Sequence, residues 1–190
     1  MEKIPLSILT GFLGSGKTTL LNHLVTQMSD MAVIINEFGE IGLDHLLLEQ
    51  VQENMVELSS GCLCCTIRGD LIETLTTLLE RMDKGDSVPF KRVVVETTGL
   101  ADPVPILTTI MAEEHLEDRF SLDGVITVVD AVNGEGTLDR HKEAVKQVAV
   151  ADRVLITKGD VLRQEAEADL VLDRLQGRLE HINPGISVIF

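Results

Sequence analysis

The stretch Gly11-Phe12-Leu13-Gly14-Ser15-Gly16-Lys17-Thr18 fits the pattern G-x-x-x-x-G-K-[ST]. Glycines at these spacings let a backbone wrap closely around a phosphate, so that successive amides from Gly14 to Thr19 converge on the anion. The loop follows an apolar run and opens an amphipathic segment, which adds a helix N-terminus to the cradle. Lys17 is then placed to reach β/γ oxygens, and the Thr18 hydroxyl to ligate Mg²⁺. A nucleoside triphosphate is the expected ligand.

Two later stretches bear on which nucleotide and which reaction. Glu96-Thr97-Thr98-Gly99 follows the run Val93–Val95. A carboxylate at that strand end can hold Mg²⁺ through its water shell, and the Gly99 amide can sense a γ-phosphate. Thr157-Lys158-Gly159-Asp160 follows Val154–Ile156. The Asp160 carboxylate can accept from guanine N1–H and the exocyclic amine, a donor pair that adenine lacks, with the Lys158 stem packed along the base. Late in a P-loop domain, this segment favours GTP over ATP.

All three cysteines of the chain, Cys62, Cys64 and Cys65, fall within Ser59-Ser-Gly-Cys-Leu-Cys-Cys-Thr-Ile-Arg-Gly69. Adjacent cysteines make a strained disulfide pair, and structural cysteines are usually scattered through a core. Thiolates this dense suggest convergence on a soft or borderline cation, with Zn²⁺ the default by geometry and Co²⁺ or Ni²⁺ alternatives. A redox-active thiol set and inert packing are the rival readings. Three thiolates leave a fourth position for another donor, water or a receiving partner, which suits release of the metal. Asn36-Glu37-Phe38-Gly39-Glu40 opens a long loop where a nucleotide-sensing switch belongs. There Glu37 or Glu40 can touch Mg²⁺ or donate an oxygen to the thiolate-bound metal; the bland reading is a solvated carboxylate.

These groups need a scaffold, and the chain supplies one. Its 190 residues are 44% hydrophobic and 25% charged, with neither Trp nor Tyr. Length and composition suit one globular domain with a substantial core. Short Val/Ile-rich runs at 4–10, 32–36, 92–97, 124–130, 153–157 and 186–190 predict strands, with 56–59 a further short one. Most lack in/out alternation, as strands covered on both faces do. Helical periodicity marks 17–28, 70–82, 141–150 and 165–182; in the second, Leu71, Ile72, Leu75, Leu78, Leu79 and Met82 make one apolar stripe. The expected fold is therefore three-layer α/β with a mostly parallel central sheet.

A net charge of −15 argues against a broad nucleic-acid or anionic-membrane surface, either of which needs clustered Lys and Arg. No apolar run reaches the roughly 18 residues of a membrane-spanning helix. The apolar N-terminal run lacks a small-residue cleavage site, and three clustered cysteines make no secreted disulfide framework. A cytoplasmic protein is expected.

Taken together, TGFLGSGKTTLLNHL, INEFGEIGLD, SSGCLCCTIRGDL, ETTGLADP, LDGVITVVDA and ADRVLITKGD, in that order over residues 10–160, resemble the CobW-like family of P-loop GTPase metallochaperones. The resemblance implies GTP hydrolysis coupled to handling of zinc, or of cobalt in cobalamin-linked members. It places Lys17 and Thr18 on phosphate and Mg²⁺, Glu96 at the acidic switch position, Asp160 on guanine, and Cys62, Cys64 and Cys65 on the metal. Gly11, Gly14, Ser15, Gly16 and Thr19 complete the loop. Thr157 stands where Asn is commoner in GTPases, a departure that bears on base selectivity. Family members typically continue into a C-terminal domain, often after a His-rich stretch. This chain ends at Phe190 with five dispersed histidines, so residues 1–190 resemble the GTPase domain alone. A metal-receiving client protein is the implied partner, with a homodimer left open. No arginine is placed as an internal finger, so slow intrinsic turnover is expected. Other readings of the same loop are a small-molecule kinase, which would need lid arginines, and a zinc-binding module with a vestigial nucleotide site.

Overall fold

The computed structural model describes residues 2–28, 30–36, 55–57, 66–87, 89–164 and 167–190. Among the described residues seven strands are formed: β1 (Ile4–Thr10), β2 (Met31–Asn36), β3 (Met55–Glu57), β4 (Arg92–Thr97), β5 (Phe120–Asp130), β6 (Arg153–Thr157) and β7 (Ser187–Ile189). Their order is β3-β2-β4-β1-β5-β6-β7. The helices among the described residues are α1 (Lys17–Gln27), α2 (Thr66–Lys84), α3 (Val104–Ala112), α4 (Glu114–Glu117), α5 (Gly134–Arg140), α6 (Lys142–Ala149), α7 (Gly159–Leu162) and α8 (Ala168–Ile182). This alternation is the α/β pattern that the apolar runs imply.

The chain divides into two compact units. One holds residues 1–8, 18–97 and 104–123. In it β2 runs parallel to β3 and to β4, with Ile35 opposite both Glu57 and Glu96. The strand residues Ala32–Ile35 and Val93–Val95 are buried, as expected of strands without alternation. Leu71, Leu75, Leu78 and Leu79 line the buried stripe of α2, which packs with α3 and α4. The other unit holds residues 9–17, 98–103 and 124–190. Here β5, β6 and β7 are parallel neighbours, and Val129, Val148, Val154, Leu162, Leu175 and Leu179 are among the residues of its core.

Several bounds differ from the sequence reading. β5 starts at Phe120 rather than Gly124, because Gly124 (φ +137°) continues the strand in a conformation that reads as a break. α2 extends two or more residues beyond the stripe at each end, to Thr66 and Lys84. The last helix starts at Ala168, and the short strand at 55–57 lies slightly ahead of its expected place. Helices α3, α4, α5 and α7 carry no clear periodicity: α3 contains Pro105 and two threonines, and α5 contains two glycines.

Candidate functional site

The glycine-rich loop belongs to the second unit up to Lys17. β1 ends at Thr10 and α1 begins at Lys17, so the intervening six residues must turn the chain completely. Gly11, Gly14 and Gly16 adopt φ of +144°, +73° and +97°. At Gly11 a Cβ would lie 2.4 Å from the Val128 carbonyl oxygen and 2.8 Å from Ser15 Oγ, so no other residue fits. The Lys17 side chain is buried, and its ammonium donates to the Gly11 carbonyl at 3.0 Å. Ser15 Oγ is buried without a hydrogen-bond partner among the described residues. A buried cation and an unpartnered hydroxyl in a glycine-rich turn fit an anionic ligand.

The segment 157–160 is tied to this loop. Thr157 Oγ1 donates to the Ser15 carbonyl at 2.6 Å, with the Val129 carbonyl a longer second acceptor at 3.3 Å. At Thr157 a threonine hydroxyl thus bridges strand end and loop. Lys158 is the one described non-glycine residue at positive φ (+59°), and it caps α7. Its ammonium pairs with Asp130 Oδ2 at 2.7 Å. The remaining acceptors of Asp130 are filled by the backbone amides of Val132 (2.8 Å) and Asn133 (3.2 Å) and by Asn133 Nδ2 (2.9 Å). Burial pushes the Asp130 pKa up, but the hydrogen bonds from Asn133, Lys158 and Val132 outweigh it, and the carboxyl titrates below the usual range. Asp160 lies exposed in the first turn of α7.

The Gly99 turn shares this unit. A Cβ on Gly99 would lie 2.7 Å from the backbone nitrogen of Leu13, so the turn rests directly on the loop. Beside the loop opens a cavity of about 300 Å³ lined by, among others, Phe12, Asp130, His141, Gln147 and Lys158. In its lining Phe12 and His141 stack on each other with ring centroids 4.3 Å apart.

Thr18, Thr19 and Glu96 fall in the first unit. Thr18 is half-buried in the first turn of α1 and Thr19 is exposed. Glu96 is 1% exposed in β4, which is rare for a carboxylate unless a partner or a ligand compensates its desolvation. Cys62, Cys64, Cys65, Glu37 and Glu40 lie outside the described residues. Among the described residues no group of three His, Cys, Asp or Glu is arranged to hold a metal, and no helix is long and apolar enough to cross a membrane.

Sequence reasoning missed Asp130, Asn133 and Gln147. Asp130 and Asn133 carry a faint signal, an Asp at the end of a buried strand with an Asn three residues on, the pattern of a side-chain-capped turn. Gln147 carries none beyond a polar residue on the inner face of α6.

The CobW/HypB/UreG nucleotide-binding domain model matches residues 5–190. The chain is 43% identical over 185 residues to the zinc chaperone YjiA of Escherichia coli, covering 96% of this chain and 56% of that protein. It is 32% identical over 222 residues to the zinc-regulated GTPase metalloprotein activator 1 of Dictyostelium discoideum, covering 96% of this chain and 44% of the relative. The crystal structure of Zn(II)-bound YjiA GTPase from E. coli superposes with a TM-score of 0.75 at 36% identity, over 100% of this chain and 58% of that one. The chain thus spans about half the length of the curated relatives it matches. The architecture is that of the P-loop GTPases, α/β with a mostly parallel sheet.

Proposed function

This chain belongs to the CobW/HypB/UreG nucleotide-binding family, and from that premise we propose that it binds and hydrolyses GTP and couples the nucleotide state to binding and release of a transition metal, zinc first and cobalt second. The reading rests above all on the loop around Lys17: a buried ammonium and a buried hydroxyl sit in a turn that only glycines can form. Such a turn fits the β- and γ-phosphates of a nucleotide. Thr18 and Glu96 are the residues that would hold Mg²⁺, whose charge offsets that growing on the phosphoryl oxygens. Asp160, presented by a lysine-capped turn, would read guanine, with Thr157 joining that turn to the loop. The Gly99 amide would sense the γ-phosphate.

Cys62, Cys64 and Cys65 would take the metal as cargo, with Glu37 or Glu40 as accessory oxygen donors. Zinc is supported by the names of the relatives and by the thiol-rich donor set. Loops ordered by GTP would favour the metal-binding arrangement, and hydrolysis would weaken it, allowing transfer to a client protein. Linkage then requires metal to strengthen GTP binding by the same factor.

The test is a zinc-competition titration with no nucleotide, GDP, or a non-hydrolysable GTP analogue plus Mg²⁺, alongside GTPase assays of wild type and Lys17→Ala. Tighter zinc binding with the analogue, and loss of hydrolysis in the variant, are expected. Identical zinc affinity in all three states would remove the coupling, and unchanged hydrolysis in Lys17→Ala would remove the catalytic assignment.

A further inference from the structure

Gln147 is fully buried on α6, between Ala144 and Val148 on the same inward face. An amide there must be hydrogen-bonded to be tolerated. Its Nε2 donates to the carbonyls of Gly99 (3.2 Å) and Ala101 (3.0 Å). Carbonyl oxygens only accept, so the amide nitrogen has to face the turn and Oε1 has to face away. Oε1 is left buried without a partner among the described residues. The residue's own backbone carbonyl receives Thr127 Oγ1 at 2.7 Å, which fixes this point of the helix to β5. One position earlier, the Lys146 ammonium meets Asp102 Oδ2 at 2.8 Å. Two successive side chains of one helix thus grip residues 99–102.

The grip has a direction. The Ala101 amide donates to the Thr98 carbonyl at 3.0 Å. That carbonyl shares a planar peptide unit with the Gly99 N–H, so its orientation sets where the Gly99 N–H points. Gln147 holds Ala101, Ala101 holds the Thr98–Gly99 peptide, and Leu13 of the phosphate loop bears on Gly99 from the other side. We propose that Gln147 is the positioning residue for the Gly99 amide, and that it thereby sets how strongly the protein prefers a nucleoside triphosphate to a diphosphate. This inference rests on the reading of Gly99 as a γ-phosphate sensor.

The experiment compares affinities for GDP and for a non-hydrolysable GTP analogue, both with Mg²⁺, in wild type, Gln147→Leu and Lys146→Ala. Leucine keeps much of the volume and removes both donors. Gln147→Leu should weaken the analogue by roughly tenfold, the worth of one hydrogen bond to the ligand, and leave GDP within about twofold. Lys146→Ala, which severs only the exposed tether, should shift the ratio in the same direction by about two- to threefold. A merely structural glutamine would weaken both nucleotides together, and that outcome, or an unchanged ratio, overturns the proposal. Should Gln147→Leu fail to fold by thermal unfolding, the ratio in Lys146→Ala decides. A wild type that binds both nucleotides equally would defeat the sensor role of Gly99 itself. That result is separable, because it appears before any variant is made.

Discussion

Replacing Asp130 by Asn, Lys158 by Met, and then both together isolates the ion pair that holds the left-handed turn before α7. Asp130 accepts four hydrogen bonds, and its side chain is 10% exposed, whereas that of Lys158 is 38% exposed. In Asp130→Asn one oxygen keeps its two backbone donors. The new NH₂ faces the Lys158 ammonium and the Asn133 amide, donor against donor. Losing charge-assisted bonds at a mostly buried carboxylate should cost about 2 kcal/mol. At 2–4 °C per kcal/mol for a chain of this size, the unfolding midpoint should fall by roughly 4–8 °C. Because Lys158 is over a third exposed, its direct share is discounted by solvent, and the coupling between the two sites should be about 1 kcal/mol. The left-handed backbone of Lys158 itself costs on the order of 1 kcal/mol, so a released lysine would relax and carry Asp160 with it. Guanine-nucleotide affinity should therefore fall in both single variants. Urea unfolding of the four proteins gives the cycle, and fluorescent GDP titration gives the affinity. Effects additive within about 0.5 kcal/mol would refute the pairing as a structural device.

The pH dependence follows from the same carboxyl. Its folded pKa lies below its unfolded value, so its contribution is complete above the unfolded pKa and vanishes as pH falls through the folded one. The stability gap between wild type and Asp130→Asn should stay constant from neutrality to about pH 5 and shrink below about pH 4; a gap unchanged down to pH 3 contradicts the assignment. Gly11→Ala should destabilise by about 3 kcal/mol or more, since its methyl would meet the Val128 backbone at 2.4 Å, and soluble yield together with urea midpoint reads this. Thr157→Val should cost about 1 kcal/mol and loosen nucleotide binding severalfold by leaving the Ser15 carbonyl without its donor, while Thr157→Ser should restore both. Cys64→Ser should lower zinc affinity at least tenfold in a chromophoric chelator competition without changing GDP affinity, and equal zinc binding would remove the thiols from the metal site.

Local patterns announced most of the scaffold. β1, β4 and β6 have the bounds expected from their apolar runs, because a strand buried on both faces has no reason to vary its composition until it ends. The loop around Lys17 was equally legible, since its geometry is a demand on backbone freedom that only glycine meets. What was not legible is tertiary. Asp130 finds Lys158 across 28 residues, and Gln147 finds Gly99 across 48. No spacing rule connects such pairs, and each residue alone reads as an ordinary polar position. The short helices failed for a different reason: α3 and α5 draw their order from packing, against intrinsic preferences lowered by proline, threonine and glycine.

With nothing but hydrogen on its α-carbon, Gly11 lies flat against the main chain of the adjoining strand at Val128. The near limb of the ligand loop is thereby clamped to sheet, and it inherits the stiffness of pleated structure. Among the described residues a side chain at Gly14 would meet nothing within 4 Å, so any give needed to admit or expel a bound anion is least opposed there. Strand stands behind Gly11 and the Thr157 hydroxyl holds the Ser15 carbonyl, so the loop is secured on both sides of the open position at Gly14.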